Sequence, residues 1–404
     1  MQASTKPMHT KNDLITQHYL AETSGDFADF EKSVNRTTSL TDYPLASSVE
    51  QGALVYELAT VHNAYSSINN KQALMAEWIK VWLEGPGVLM ITNAMADDVI
   101  DKASLLFEDI INVQRASGGG DGDHFAKAGA NDRIWNALQK HCLADANNFA
   151  RYYSSETIAL ASEAWLGTGY QITAQVNRVN PGGAAQSAHR DYHLGFMGKD
   201  QILHYPKHVH LLSPALTLQG AIAHCDMPLE TGPTLYLPYS QHFPEGYLAF
   251  NRSEFQQHFN HHRSQLALNK GDAVFFNPAL MHAAGENTTT DRYRLGNLLQ
   301  VSSAFGRVME SIDFVGLINA VYPTLLAEKQ TQSLSTTQLN NVVAACTDGY
   351  PFPTNLNTDL ATGGLAPKTQ RQCVIDALDT NTDHSTLLKD LNDQLQRRSD
   401  LAQL

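Results

Sequence analysis

Apolar positions fall into two textures along the chain. Leu54, Val55, Leu58 and Val61, then Leu74, Trp78, Val81 and Trp82, keep the three- and four-residue spacing of an amphipathic helix up to the punctuation Gly85-Pro86-Gly87. A short apolar strand over 88–92 follows. Asp97 and Asp98 then open a predicted helix whose apolar stripe is Val99, Ala103, Leu106, Phe107 and Ile110 and which ends at Gly118-Gly119-Gly120. Helical spacing resumes over 134–143 and 149–165. Beyond Trp165 the runs become short and are separated by turn residues, predicting strands over 171–179, 187–196, 216–223, 234–238, 265–268, 273–276 and 294–302.

Seven short strands after a helical half predict an α+β fold, a β-sandwich or barrel backed by helices. Residues 1–45, rich in Ser, Thr, Asp and Asn, read as a loosely ordered N-terminal arm, and 46–320 as the helix-backed β domain. Residues 321–404 read as a polar extension packed on that domain, ending in an amphipathic helix with Leu387, Leu388, Leu391 and Leu395 on one side.

Composition narrows the classes of function. With 43% hydrophobic and 17% charged residues among 404, the chain can build a large core and is unlike a disordered, collagenous or coiled-coil sequence. Its 28 Lys and Arg against 41 Asp and Glu give a net charge of −13, which disfavours non-specific nucleic-acid and anionic-membrane binders, since both need a basic face. A small-molecule partner is expected instead, and nothing in the pattern fixes an oligomeric state. Cys142, Cys225, Cys346 and Cys373 form no C-x-x-C pair, which argues against a thiolate zinc knuckle or a disulfide scaffold and fits a reducing, cytoplasmic setting. The polar N-terminus and the lack of an uncharged apolar run of about 18 residues give no expectation of an export signal or a membrane span.

The sharpest chemical feature is a turn, Asn180-Pro181-Gly182-Gly183, leading into His189-Arg190-Asp191-Tyr192-His193. Alternate residues of a strand share a face, so His189 and Asp191 present one imidazole and one carboxylate to a common metal. His282, 91 residues after Asp191 and just beyond the strand over 273–276, is the candidate third ligand. Two histidines and a carboxylate on one face of an octahedral ion leave three positions open, the arrangement of non-haem Fe(II) oxygenases. A second His-x-Asp, His224-Cys225-Asp226, runs into Met227-Pro228-Leu229-Glu230-Thr231-Gly232-Pro233 and reads as a hydrogen-bonded histidine followed by a loop.

Arg294 lies twelve residues past His282 and opens an apolar strand, with Arg292 two positions earlier. A buried strand has little reason to begin with a guanidinium unless an anion awaits it, and the planar fork suits a carboxylate. A dicarboxylate cosubstrate would satisfy it, and Gly296 on the same face would leave it room. The plainer alternative is a pair of solvated strand-end charges.

The order Pro181-Gly182-Gly183, His189-x-Asp191-x-His193, Glu230-Thr231-Gly232-Pro233, Pro238-Tyr239-Ser240-Gln241-His242, Gly271-Asp272, His282 and Asp291-Arg292-Tyr293-Arg294 resembles the phytanoyl-CoA dioxygenase-like family of Fe(II)- and 2-oxoglutarate-dependent oxygenases. The resemblance spans roughly Gly87 to Ser303 and lies in the order of motifs. It implies a double-stranded β-helix, or jelly roll, with helices packed on one sheet. It implies that His189, Asp191 and His282 hold iron as the catalytic centre, and that a downstream arginine pairs with the distal carboxylate of 2-oxoglutarate. That arginine often stands eleven residues after the second histidine, where this chain has Tyr293; one extra threonine in Thr288-Thr289-Thr290 accounts for the offset, which favours Arg294 with Arg292 in reserve. The family's Pro-Gly-Ser-His becomes Pro238-Tyr239-Ser240-Gln241-His242.

The implied reaction consumes O2 and 2-oxoglutarate, releases succinate and CO2, and hydroxylates a C–H bond of a small or medium organic molecule. Asp191 argues against halogenation, because related halogenases put a small residue there to admit halide. Two rivals explain the triad: a cupin-like metal-binding jelly roll, isomerase or sensor, that ignores 2-oxoglutarate, and a binding scaffold without turnover. Neither needs Arg294. Gln175 and Thr234 are further candidates for contact with the cosubstrate, and Asn177 and His193 for the substrate pocket, each also readable as an ordinary polar strand or rim residue. Only Arg190, Lys199 and Lys207 offer charge for the phosphates of an acyl-CoA, so a CoA ester is not favoured. The clusters His204, His208, His210 and His258, His261, His262 read as surface histidines, and Gly118-Gly119-Gly120 as a flexible loop bordering the site.

Overall fold

The structure is a computed structural model and describes residues 11–117, 129–193, 197–361 and 363–399. Among the described residues eleven strands carry the fold: β1 Ser48–Glu50, β2 Ala53–Glu57, β3 Val88–Thr92, β4 Asn131–Ile134, β5 Gln171–Val179, β6 Thr217–Ala223, β7 Leu235–Tyr236, β8 Ser264–Gln265, β9 Ala273–Phe276, β10 His282–Ala283 and β11 Arg294–Ser302. The larger sheet runs β1-β2-β3-β9-β6-β11-β5-β4 and the smaller one β10-β7-β8. All pairs are antiparallel except β2 with β3. The protein is an α+β jelly roll.

Period-two alternation divides the large sheet into two faces. Leu54, Leu89, Phe275, Leu218, Ile222, Leu295, Leu299, Val301, Ile172 and Val176 point to the helical layer and join Trp78, Trp82, Phe107, Phe149, Tyr152 and Leu160 in the main core. The opposite face sends Val55, Val88, Met90, Val274 and Phe276 against Tyr236, Leu266, Leu268 and Leu280, closing the space between the sheets. The site lies in the part of that space that apolar side chains leave unfilled.

Four expectations are corrected. Leu54 and Val55 belong to β2, and the helix begins only at Leu58; a strand buried on both faces reads as a continuous apolar run, which periodicity cannot tell from helix. The 187–193 part of the strand expected over 187–196 makes no ladder, only an isolated bridge between His189 and His282. Residues 11–45 are not a loose arm: they hold helices Lys11–His18 and Phe27–Val34, the second capped by the Asp26 side chain, which accepts from the N–H groups of Ala28 and Asp29. Phe30 of that helix is fully buried among Leu235, Leu237, Phe243, Phe255 and Met281, an anchor too isolated to make a period. Leu395 is 47% exposed, so the last helix buries Leu387 and Leu391 without it.

The C-terminal region adds helices Phe314–Thr331, Thr336–Cys346, Gln370–Thr380 and His384–Ser399, whose Leu317, Tyr322, Val342, Val374 and Leu387 enter the main core. The expected boundary at 320/321 falls inside the first of them. Gly118-Gly119-Gly120 lies outside the described residues. Among those described, no helix is long and apolar enough to cross a membrane.

Candidate metal centre

His189 and His282 face each other across that isolated bridge. The His189 N–H donates to His282 O at 2.9 Å and the His282 N–H to His189 O at 3.0 Å. Each ring then turns its Nδ1 to a carbonyl two residues earlier, Ser187 O at 3.0 Å and Leu280 O at 2.8 Å. These bonds place the ring proton on Nδ1 and leave both Nε2 lone pairs free, as ligating histidines require. Asp191, two residues on, is fixed by its N–H to Pro278 O at 3.1 Å and brings Oδ1 to 3.8 Å from His189 Nε2 and Oδ2 to 3.6 Å from His282 Nε2. One ligand atom from each of the three lies within 4.8 Å of the others, the only such metal-competent group among the described residues.

Electrostatics hold this set ready for a cation. Burial raises the Asp191 carboxyl, but the adjacent His282 and His189 and the Gln219 amide together bring it below its ordinary value, so it stays an anion. Burial, helped by the facing His282, depresses His189 and keeps its imidazole neutral, the ligating form. Gln219 Nε2 donates directly to Asp191 Oδ2. The donor chemistry and spacing therefore fit a divalent iron with one open face.

That face opens on a cavity of about 130 Å³ lined by Arg133, Gln175, Asn177, Gln186, Gln219, Thr234, Phe276, Arg294 and Gln300 with the triad. A smaller pocket of about 40 Å³ shares Asn177, Thr234 and Arg294 and adds Met227, Tyr236 and Gly296. Arg294 is thus buried at the far end of the same space. Its Nη1 has no hydrogen-bond partner, and burial pushes its pKa down to about 10, with Cys225 and Tyr236 as the neighbours that resist. A guanidinium enclosed this way without a carboxylate is a costly arrangement that an anion would relieve.

The other predicted residues separate. Arg292 is at the surface, 4.0 Å from Glu230 and 60% exposed, and does not reach the cavity. Gln175 lines the cavity, but its amide is engaged at both ends, accepting from Arg133 at 2.7 Å and donating to Met309 Sδ at 3.0 Å. Asn177 lines the cavity and accepts from Asn131 at 3.3 Å. Thr234 borders both pockets. His193 is absent from the lining: its Nδ1 meets Thr217 Oγ1 at 2.7 Å and its Nε2 accepts the Arg307 N–H at 3.1 Å, which makes it a structural rim histidine.

His224, from the second His-x-Asp, is buried between Ser104 Oγ and Tyr152 OH, both at 2.9 Å. His210 and His258 are buried rather than exposed. Of the three basic residues considered for phosphates, Arg190 is buried and donates to Ser240 O and Phe243 O, while Lys199 pairs with Glu22 at 2.9 Å and Lys207 with Glu245 at 3.5 Å. Gln219, Gln300, Gln186 and Arg133 were not singled out by sequence, although a lone glutamine in an apolar strand, as in Leu218-Gln219-Gly220-Ala221-Ile222, is a readable sign.

A model of the phytanoyl-CoA dioxygenase (PhyH) family matches residues 83–296, just over half of the chain. Among solved structures, the chain is similar to the non-heme alpha ketoglutarate dependent epimerase SnoN from nogalamycin biosynthesis, at 17% identity and a TM-score of 0.41 over 58% of this chain and 82% of that one. It is similar to the carbocyclase SnoK of the same biosynthesis at 16% identity and a TM-score of 0.42, over 69% and 94% of the two chains. HygX from Streptomyces hygroscopicus, with nickel and 2-oxoglutarate bound, gives 14% identity and a TM-score of 0.39 over 57% and 87%. No curated protein matches the chain in sequence.

Proposed function

The chain belongs to the phytanoyl-CoA dioxygenase family, and from that premise we propose that this Fe(II)- and 2-oxoglutarate-dependent oxygenase hydroxylates a C–H bond of a small or medium organic molecule, with release of succinate and CO2. The observation that carries the reading is one cavity holding both the His189, Asp191, His282 face and the uncompensated guanidinium of Arg294. Iron held by the triad, with 2-oxoglutarate and O2, supplies an oxidant able to remove hydrogen from an unactivated C–H bond.

The residues provide the rest. Arg294 takes the distal carboxylate through its planar fork, while Asn177 and Thr234 border the path between it and the triad. Gly296, whose added Cβ would meet only Met227 Cε at 3.5 Å and Ile222 O at 3.6 Å, keeps that path open. Phe276 packs its ring edge-on against His282 with centroids 4.8 Å apart and shields the ligand from water.

Anaerobic titration of the apoprotein with Fe(II) and 2-oxoglutarate tests the cofactor assignment. The expected result is the weak visible charge-transfer band of a chelated 2-oxo acid, lost in His189→Ala and demanding far more cosubstrate in Arg294→Ala. Metal binding without a band at any 2-oxoglutarate concentration would move the cupin-like reading ahead. Hydroxylation has its own test: under ¹⁸O2 one labelled atom enters the product and one the succinate, and a product without label would replace hydroxylation by another oxidation.

A further inference from the structure

Arg294 accounts for one end of the cavity; the other is lined with carboxamides. Gln219 and Gln300 are direct cross-strand partners on β6 and β11, on the face that also carries Ala221, Leu298 and Arg294. Because the Gln219 amide nitrogen is spent on Asp191 Oδ2, its other atom is fixed as an acceptor. That Oε1 is buried and has no partner, on a residue only 6% exposed. Gln186 has the opposite assignment: its Oε1 accepts the Ala284 N–H at 3.2 Å, which leaves Nε2 as a donor on the cavity wall. Acceptor and donor therefore stand ready beside the metal ligands, away from the cosubstrate's arginine.

Resting on the oxygenase reading, we infer that the substrate presents hydroxyl or amino groups to Gln219, Gln300 and Gln186: a polyhydroxylated or amino-bearing small molecule such as a sugar, cyclitol or amino sugar, not a hydrocarbon chain. An acyl chain in this position would cover the Gln219 acceptor and the Gln186 donor with carbon, leaving both without water and without a partner. A hydroxyl serves both, since it donates to Oε1 and accepts from Nε2. The basic residues considered for a CoA ester's phosphates agree: Arg190 holds two carbonyls, and Lys199 and Lys207 are each paired with a glutamate.

The test begins from wild-type protein with Fe(II) and 2-oxoglutarate, whose charge-transfer band is the control: its absence defeats the oxygenase reading, not this one. With the band present, myo-inositol, trehalose, glucosamine, octanoic acid and octanoyl-CoA are each tested for stimulation of succinate release and for perturbation of the band. The expected result is stimulation by at least one hydroxylated or amino probe, with half-saturation raised about tenfold or more in both Gln219→Leu and Gln300→Leu. Among the described residues Gln300 makes no hydrogen bond to a metal ligand, whereas Gln219 does, so the Gln300 variant separates substrate contact from a disturbed Asp191. Stimulation by acyl probes alone, by none of the polar probes, or with the polar probe's half-saturation unchanged in Gln300→Leu overturns the inference.

Discussion

Replacing Arg294 by Met keeps the length of the side chain and removes its charge, with opposite effects in the empty and the loaded protein. The fall of this guanidinium from 12.5 to about 10 through burial corresponds to a penalty of roughly 3 kcal/mol for holding the cation in the folded chain. For a base with a depressed folded value, that penalty is fully present below about pH 10 and disappears only as the pH rises from there toward 12.5. Without 2-oxoglutarate at pH 7, Arg294→Met should therefore melt no lower than wild type. In the loaded protein the loss falls on the cosubstrate: two charge-assisted hydrogen bonds at about 1.5–3 kcal/mol each are worth roughly 3–6 kcal/mol, or about a hundred- to ten-thousandfold in half-saturating 2-oxoglutarate. Thermal unfolding with and without 2-oxoglutarate, alongside titration of the charge-transfer band, reads both effects. Wild type should gain melting temperature with the cosubstrate by mass action and the variant should not. A variant that melts well below wild type when empty, or that keeps wild-type 2-oxoglutarate affinity, would refute the reasoning.

Chelation of Fe(II) from wild type should lower its melting temperature, whereas His189→Ala and Asp191→Ala should show no metal-dependent shift; a preserved shift in either removes that residue from the ligand set. In Gly246→Ala the new Cβ would collide with Arg190 Cζ, displacing a guanidinium that holds two carbonyls; a loss of roughly 3 kcal/mol in urea unfolding is expected, and an unchanged midpoint would contradict the packing described. Phe30→Ala should cost roughly 3–4 kcal/mol in the same assay, since the ring is fully buried, and a negligible change would return the N-terminal region to the status of a loose arm. Asp132 takes two bonds from Arg115 at 2.7 and 2.8 Å and others from Arg178 and Asn180; burial raises its carboxyl, but these partners bring it below 3.8. Its contribution is present above that ordinary value and fades as the pH falls through the folded one, so Asp132→Asn should flatten the acid limb of the stability curve, and parallel curves would speak against it.

The long strands were legible because alternation and length agree: 171–179, 273–276 and 294–302 appear as predicted. The helix from Asp97 was legible from its first-turn acids and single stripe, and it runs to Ala116. Where the chain is held by isolated contacts the pattern was silent, as with Phe30 in a short polar helix and the 187–193 segment, whose place is set by one bridge to a distant residue. The same holds at the site. His189, Asp191 and His282 could be named from spacing, and the structure brings them together with Arg294. His193 shares their parity but turns away, because the segment is not a regular strand beyond the bridge. Gln219 stood out only as a lone glutamine in an apolar strand; its importance lies in a cross-strand neighbour and in an atom left over, neither of which a sequence displays.

The placement of Arg294 on β11 makes the sheet a ruler. Gln300, level with Gln219 and hence with the metal carboxylate, and Arg294 lie on one strand, hydrogen-bonded to β5 and β6 on either side. Leu298 to Arg294 alone spans about 13 Å at about 3.3 Å per residue. An arginine on a loop could follow a shorter or longer diacid; one at the head of a strand, paired with Val179 of β5, has its backbone held in place. The consequence is that a diacid reaching from the metal site to this guanidinium would meet a distance set by strand geometry rather than by a loop.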